Sequence, residues 1–200
     1  MATPYEIVAR ELRTQLPTAH LTPDPTMPEQ LYHSGPQVDY SLINQSYPGG
    51  YPFYYPAHLA RPGRPSLTLH IATGSEAIKA FTRPGSELRH RLAHYGYWRI
   101  ESLPNPATTD FWLLLLRLPD QELKYLILPT AKLAQLLSRA HNPEKISLLM
   151  AKAGFSFAGK PLTAANRLAV FPNASLLDTP ENADLKMDAH LNNWSKLLRN

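Results

Sequence analysis

The chain has 200 residues, no cysteine and a formal net charge of +4, with 44% hydrophobic and 18% charged residues. This length predicts one globular domain, residues 1–200, with a core large enough to be stable unaided. Without cysteine the chain has no disulfide and no thiol nucleophile, so His, Asp and Glu are the candidate metal ligands.

Hydropathy and charge restrict the compartment and the partners. No apolar run reaches the roughly 18 residues of a membrane span, and the N-terminus carries Glu6 and Glu11 where a secretory signal has an apolar core. We therefore expect a cytoplasmic protein with no membrane partner. The positive charge and a pI of about 9.3 favour an anionic partner such as DNA or RNA.

The first sixty-five residues divide into a helix and a proline-rich segment. Thr3–Leu16 has an apolar face, a proline at the first helical position and capping-box spacing from Thr3 to Glu6. Residues 17–65 hold ten of the twenty prolines but also many tyrosines. This composition predicts an ordered, irregular covering with one short strand at Gln37–Ile43. We expect an exposed, mobile tip at Arg61–Pro65.

The middle of the chain alternates between strand and helix patterns. Ser66–Ala72 alternates polar and apolar residues, as in a half-buried strand. Glu76–Phe81 is interpreted as a helical turn, and a second helix is predicted from Gly85 through His94. A strand is then predicted at Tyr97–Leu103.

Residues 110–140 carry the strongest structural signals. Two apolar runs, Phe111–Leu118 and Tyr125–Leu128, are separated by a turn and predict a buried antiparallel strand pair. Leucines at helical spacing then predict a helix at 130–140, with Thr130 as its N-cap. These elements predict an α/β (α+β) fold, a central mixed sheet of about four or five strands flanked by helices, with residues 66–140 as the core.

The signals weaken after residue 141. Lys145–Ala153 is interpreted as a helix and Arg167–Phe171 as a short strand. Leucines and a tryptophan predict a C-terminal helix over residues 183–198.

A basic cluster with interleaved aromatic residues is the first candidate binding site. Arginines contact phosphates and aromatic rings stack on bases. The alternative is a solvated helix face. His90 and His94 also have the i,i+4 spacing of a metal pair, but no third ligand is evident. The candidate nucleic-acid contacts are Arg83, Arg89, Arg91 and Arg99.

Several short motifs resemble those of bacterial proteins with the PD-(D/E)XK, restriction-endonuclease-like fold. In that group one strand bears an Asp, a second carries a (D/E)-x-K pair, and an apolar strand pair with a helix and an Asn-Asn-Trp motif follow. The counterparts here are Val38-Asp39-Tyr40, Leu69-His70-Ile71-Ala72-Thr73, Asp110–Leu137 and Asn192-Asn193-Trp194. The resemblance implies a nuclease scaffold and an association with bacterial defence or mobile elements.

The residues that the chemistry of that family needs are not in place. Nuclease catalysis there uses two carboxylates on Mg²⁺ and a lysine beside the attacking water. In this register His70 replaces the second acid and Ala72 replaces the lysine. We therefore expect a catalytically degenerate nuclease-fold protein that binds nucleic acid or a partner protein and needs no cofactor.

Two alternatives remain open. The first is an active Mg²⁺-dependent nuclease with a migrated site at Asp39, Glu76 and Lys79. The second is a protein–protein interaction module, in which the tyrosines of residues 32–55 are contact anchors.

Overall fold

The computed structural model describes residues 2–33, 54–73, 104–117, 123–138 and 188–199, the Trp98 side chain, and the backbone of further strands between residues 75 and 171. The strands are β1 (His20–Pro23), β2 (Tyr55–Arg61), β3 (Arg64–Thr73), β4 (Ser75–Glu76), β5 (Leu92–Arg99), β6 (Phe111–Arg117), β7 (Leu123–Pro129), β8 (Lys145–Ala151), β9 (Ser156–Phe157), β10 (Lys160–Pro161) and β11 (Arg167–Phe171). The α-helices are α1 (Pro4–Gln15), α2 (Thr130–Ser138) and α3 (Lys196–Arg199), and short 3-10 turns occupy Glu29–Leu31 and Asp188–His190.

A five-stranded mixed sheet forms the centre of the described structure. Its strand order is β1-β2-β3-β6-β7. The pairing of β3 with β6 is parallel, and the other three pairings are antiparallel. This sheet with its helices confirms the predicted α+β class, and the predicted strand pair is β6 and β7.

Helix α1 begins as its sequence predicts. Thr3 Oγ1 accepts a hydrogen bond from Glu6 N at 3.1 Å, and Glu6 Oε2 accepts one from Thr3 N at 2.8 Å. The capping box satisfies donors that the first helical turn would otherwise leave unpaired. The helix buries Ile7, Val8 and Leu12 against the sheet.

The sheet has an apolar layer on each face because its strands alternate. One face packs against α1, and its buried members on β3, β6 and β7 are Leu67, Leu69, Ile71, Phe111, Leu113, Leu115, Tyr125 and Ile127. The opposite face carries the alternate positions of the same strands, with Ala72, Trp112, Leu114, Leu126 and Leu128 buried. Helix α2 packs there on β6 and β7, and its Leu133, Leu136 and Leu137 are buried.

A second sheet has the order β11-β8-β5-β4. Trp98 on β5 is 1% exposed, and its indole Nε1 donates to the Leu115 carbonyl of β6 at 3.2 Å. This hydrogen bond ties the second sheet to the first. The predicted strand at Arg167–Phe171 is confirmed as β11.

Three predicted helical segments are wrong. Lys145–Ala151 is strand β8, which pairs with β5 and β11 on its two edges. A strand with neighbours on both sides has the same continuous apolar run as a buried helix, so periodicity does not separate the two. Leu92–His94 lies in β5 instead of the predicted helix, and Glu76 lies in β4 instead of a helical turn.

The predicted C-terminal helix is also wrong over most of its length. Within residues 188–199 the chain forms the 3-10 turn, an isolated bridge between Leu191 and Leu126 of β7, and the short α3. Asn192 has a φ of 50°, in the left-handed region, which interrupts any right-handed helix at that position.

Residues 17–65 contain more regular structure than predicted. Strands β1 and β2 both lie in this segment, and the predicted strand at Gln37–Ile43 lies outside the described residues. The tip at 61–65 is a tight β2–β3 turn in which Gly63 has a φ of 66°. Arg61 is 7% exposed, so the prediction of an exposed tip is wrong at that residue.

Candidate functional site on strand β3

Strand β3 carries the two positions at which the motif resemblance predicts an acid and a lysine in a nuclease. These positions hold His70 and Ala72, two residues apart and therefore on the same face of the sheet. In the register His70 lies opposite Pro56 of β2 and Trp112 of β6. The face is the one that packs against α2, not α1.

His70 is held between aromatic side chains. The Tyr54 ring stacks on the imidazole, with centroids 4.3 Å apart and planes 20° from parallel. Trp112 meets the imidazole edge to face at 4.8 Å and lies 5.2 Å from Tyr54. Such contacts each contribute roughly 0.5–1.5 kcal/mol beyond area burial. The three rings therefore form a packed unit over the centre of the sheet.

The surroundings of His70 keep its imidazole neutral. Burial lowers the pKa of His70 from 6.5 to about 4, and the Asp24 carboxylate raises it by a smaller amount. The imidazole Nε2 lies 3.3 Å from Thr109 Oγ1. Within the described residues, neither the imidazole Nδ1 nor the buried indole Nε1 of Trp112 has a hydrogen-bond partner.

Ala72 is the second of these two positions. It has 0% exposure and lies opposite Leu114 of β6, so its position is part of the apolar layer. No group of three or more His, Asp or Glu side chains that could hold a metal ion occurs in the part of the chain that the structure describes. A neutral imidazole and a methyl group cannot bind Mg²⁺ or orient an attacking water as two carboxylates and a lysine do.

The carboxylate of Asp24 is engaged in a turn. Its Oδ1 accepts hydrogen bonds from Thr26 N at 2.8 Å and from Thr26 Oγ1 at 2.5 Å. Its Oδ2 lies 3.4 Å from Nε2 of the partly exposed His58. The pKa of Asp24 is lowered, chiefly by the hydrogen bond from the Thr26 hydroxyl. Asp24 therefore acts as a turn residue beside the ring cluster.

Asp110, at the start of the segment that resembles the nuclease family, joins three elements. Its Oδ2 accepts from Thr68 N of β3 at 2.7 Å, and its own N–H donates to the Thr68 carbonyl at 2.9 Å. Its carbonyl accepts from Thr130 N at 2.9 Å, which fixes the start of α2. Thr130 is the first helical residue, so its predicted N-cap role is wrong.

The Asn-Asn-Trp motif closes the outer edge of β7. Asn192 Oδ1 accepts from Tyr125 N at 2.9 Å, and Asn192 N donates to the Tyr125 carbonyl at 2.7 Å. Trp194 is buried against Tyr125, with ring centroids 4.9 Å apart. A cleft of about 450 Å³ opens beside them, lined by Arg10, Glu11, Gln15, Leu123, Tyr125, Asn192 and Trp194.

The structure describes only part of the predicted site. The residues Asp39, Lys79, Arg83, Arg89 and Arg91 lie outside the described residues. Glu76 is placed by its backbone alone, on β4 opposite Gly96.

Arg99 is on β5, directly opposite Lys145 of β8. The His90–His94 pair loses its helical basis because His94 is on a strand, where a four-residue spacing does not bring side chains together as it does on a helix.

The tyrosines at both ends of residues 32–55 are internal. Tyr32 is 0% exposed and Tyr55 is 6% exposed, and Tyr54 stacks on His70. Tyr32 also donates its hydroxyl to the Pro56 carbonyl at 2.5 Å. Tyr32 and Tyr55 are therefore core residues that offer no contact surface to a partner, and the half-buried Tyr54 packs on His70.

Sequence reasoning missed Arg61 and the pair formed by His190 and Lys196. Arg61 donates to the carbonyl of Pro65, which is close in sequence, and to the carbonyl of Leu197, which is 136 residues away. His190 and Lys196 meet because of the turn at Asn192, a contact that their spacing of six residues does not predict.

Comparisons with known proteins return no relative. No family model matches the chain, and neither a curated protein nor a solved structure matches it. None of the helices in the described residues has both the length and the apolar character of a membrane span. The proposed function therefore rests on the motifs and the geometry of this chain.

Proposed function

We propose that this chain is a nuclease-fold protein that binds nucleic acid without hydrolysing it. The observation that carries the proposal is the state of strand β3, where the expected acid and lysine are a neutral, ring-packed His70 and a fully buried Ala72. The resemblance in the motifs supports the scaffold, and the chemistry of these two positions argues against catalysis.

The order of the elements supports the scaffold half of the proposal. Helix α1 precedes the antiparallel strands β1, β2 and β3, and β6 then joins β3 in parallel before β7 and α2. The motif strand β3 is thereby placed in the middle of the mixed sheet. The resemblance likewise expects a helix before the strands that carry the Asp and the (D/E)-x-K pair.

Charge supports the binding half. The chain has a formal net charge of +4. The register of the second sheet places the basic residues Arg99 and Lys145 directly opposite each other. A phosphate backbone that binds basic residues supplies a counter-charge and releases bound counterions. The other candidate arginines, Arg83, Arg89 and Arg91, lie close to Arg99 along the chain.

A cleavage assay tests the catalytic half. The purified protein with Mg²⁺ or Mn²⁺ should leave single- and double-stranded DNA and RNA intact over long incubation. If the protein cuts, and Asp39→Ala abolishes the cutting, the active nuclease with a site at Asp39, Glu76 and Lys79 replaces this proposal. Cutting that persists in Asp39→Ala would indicate a contaminating nuclease.

A binding assay tests the other half. Fluorescence anisotropy with oligonucleotides of mixed sequence should give an affinity that falls steeply with salt. Arg89→Ala with Arg91→Ala should reduce the salt slope by roughly 0.7 to 0.9 per lost phosphate contact.

Arg64→Gln, on the exposed β2–β3 turn, is the matched control and should change neither affinity nor slope. If the protein binds neither DNA nor RNA at low salt, the proposed function is refuted.

A further inference from the structure

Lys196 and His190 bring two basic nitrogens together at the C-terminal edge of the first sheet. Lys196 Nζ lies 2.7 Å from His190 Nδ1, and both side chains are partly buried. The same imidazole nitrogen lies 3.1 Å from the Ile127 carbonyl oxygen of β7. The pair is therefore fixed to the end of β7 just before α2 begins.

The hydrogen-bond pattern shows that the pair is rich in protons and poor in acceptors. If the ammonium of Lys196 donates to Nδ1, that nitrogen has no hydrogen for the Ile127 carbonyl. Burial and the neighbouring Lys196 lower the pKa of His190, and burial also lowers the pKa of Lys196. The imidazole Nδ1 thus lies between the Lys196 ammonium and the Ile127 carbonyl and can satisfy only one of them.

A third basic residue, Lys132 of α2, acts on His190 through its charge. Lys132, in the first turn of α2, lies close enough for its charge to lower the pKa of His190 as well. Its Nζ is 3.5 Å from Gln135 Oε1, a neutral acceptor. Within the described residues, no carboxylate lies at ion-pair distance from Lys132, His190 or Lys196.

We infer that His190 and Lys196 form a binding site for a phosphate group, to which the charge of Lys132 adds positive potential. An oxyanion would accept hydrogen bonds from the Lys196 ammonium and from the imidazole, and it would supply the counter-charge that the described neighbours do not. Ligand phosphate could be free or part of a nucleic-acid backbone. The assignment to a backbone rests on the proposed function.

Inorganic phosphate is the first probe. The imidazole of His190 is followed by NMR as the pH is varied, in phosphate and in chloride at equal ionic strength. The pKa of His190 should rise in phosphate because the bound anion stabilises imidazolium, and Lys196→Gln or Lys132→Gln should reduce that rise. Arg64→Gln should leave the rise unchanged. An identical titration in the two salts would overturn the phosphate site.

A single-stranded oligonucleotide is the second probe. Loss of one charge-assisted hydrogen bond should weaken binding by about tenfold or more in Lys196→Gln. Loss of the nearby charge should weaken it to a smaller extent in Lys132→Gln, and Arg64→Gln should leave it unchanged. Thermal melts check that each variant is folded. Lys132→Gln keeps the test valid if Lys196→Gln loosens the C-terminus.

The two probes separate the site from the proposed function. A phosphate-dependent shift at His190 without oligonucleotide binding supports the site and refutes the proposed function. Oligonucleotide binding that is the same in wild type and both lysine variants refutes the site as a backbone contact and leaves the proposed function standing.

Discussion

Trp98 and Trp112 provide a matched test of how this protein is stabilised. The two side chains are 1% and 3% exposed, so replacing either by phenylalanine removes a similar buried volume. They differ in the hydrogen bonding of the indole Nε1. Trp98 Nε1 donates to the Leu115 carbonyl at 3.2 Å, whereas Trp112 Nε1 has no partner among the described residues.

The difference sets the expected magnitudes. Trp98→Phe loses packing and also a buried hydrogen bond, whose net contribution is about 0.5–1.5 kcal/mol. Trp112→Phe loses the same packing but removes an unpaired buried N–H, which costs the native state roughly 1–3 kcal/mol. The free energy of unfolding should therefore fall by about 1.5–4.5 kcal/mol more in Trp98→Phe than in Trp112→Phe. Trp112→Ala, which removes the whole ring, should cost about 3–5 kcal/mol.

Urea unfolding followed by circular dichroism measures these free energies. Equal m-values across the variants establish that the comparison is like for like. Equal costs for the two phenylalanine variants, or a larger cost for Trp112→Phe, would refute the assignment of an unpaired indole at 112. A cost below about 1 kcal/mol for Trp112→Ala would show that β6 is not core.

Two further predictions concern His70 and Arg61. The pKa of His70 is about 4 in the folded protein and 6.5 in the unfolded chain, so between these two values only the unfolded chain takes up the proton. The free energy of unfolding should therefore fall by roughly 3 kcal/mol as the pH drops from 6.5 to 4. His70→Phe should flatten this fall in urea melts at different pH, and an unchanged slope would contradict the pKa shift. Arg61→Met keeps the aliphatic part of the side chain but loses the hydrogen bonds to the Pro65 and Leu197 carbonyls, so it should lower the free energy of unfolding by roughly 2–4 kcal/mol. Arg61→Lys should recover little of this loss, because an ammonium lacks the planar, forked donors of a guanidinium. A loss of less than about 0.5 kcal/mol for Arg61→Met in a denaturant melt would count against this role.

Local signals made part of the fold predictable. The Thr3–Glu6 capping box and the two apolar runs around residue 120 each specify an element from a few neighbouring residues. The mixed sheet followed from those runs together with the alternation in β3. The identities of His70 and Ala72, at the positions where the resemblance expects an acid and a lysine, are given by the sequence itself, and their interpretation as a degenerate catalytic pair stays a prediction.

Non-local contacts account for what was missed. Pro56 argued against a strand, yet it lies in β2 just past the end of β1, where the next residue, Asp24, donates to the Pro56 carbonyl. A proline is tolerated at such a place because no ladder donor is required. The ring cluster depends on Tyr54, His70 and Trp112 meeting across three segments, and no spacing in the sequence indicates that.

The covering of β7 by Leu191 and Asn192 has a consequence for synthesis of the protein. Leu123–Pro129 is largely apolar and extended, and residues 190–192 contribute hydrogen bonds to its outer edge. Those residues leave the ribosome about sixty residues after the strand does, which at roughly 5–20 residues per second is several seconds. During that interval the nascent chain lacks these hydrogen bonds at the edge of β7, and an unprotected strand edge can template aggregation. Residues 190–192 therefore protect this edge of the sheet only late in synthesis.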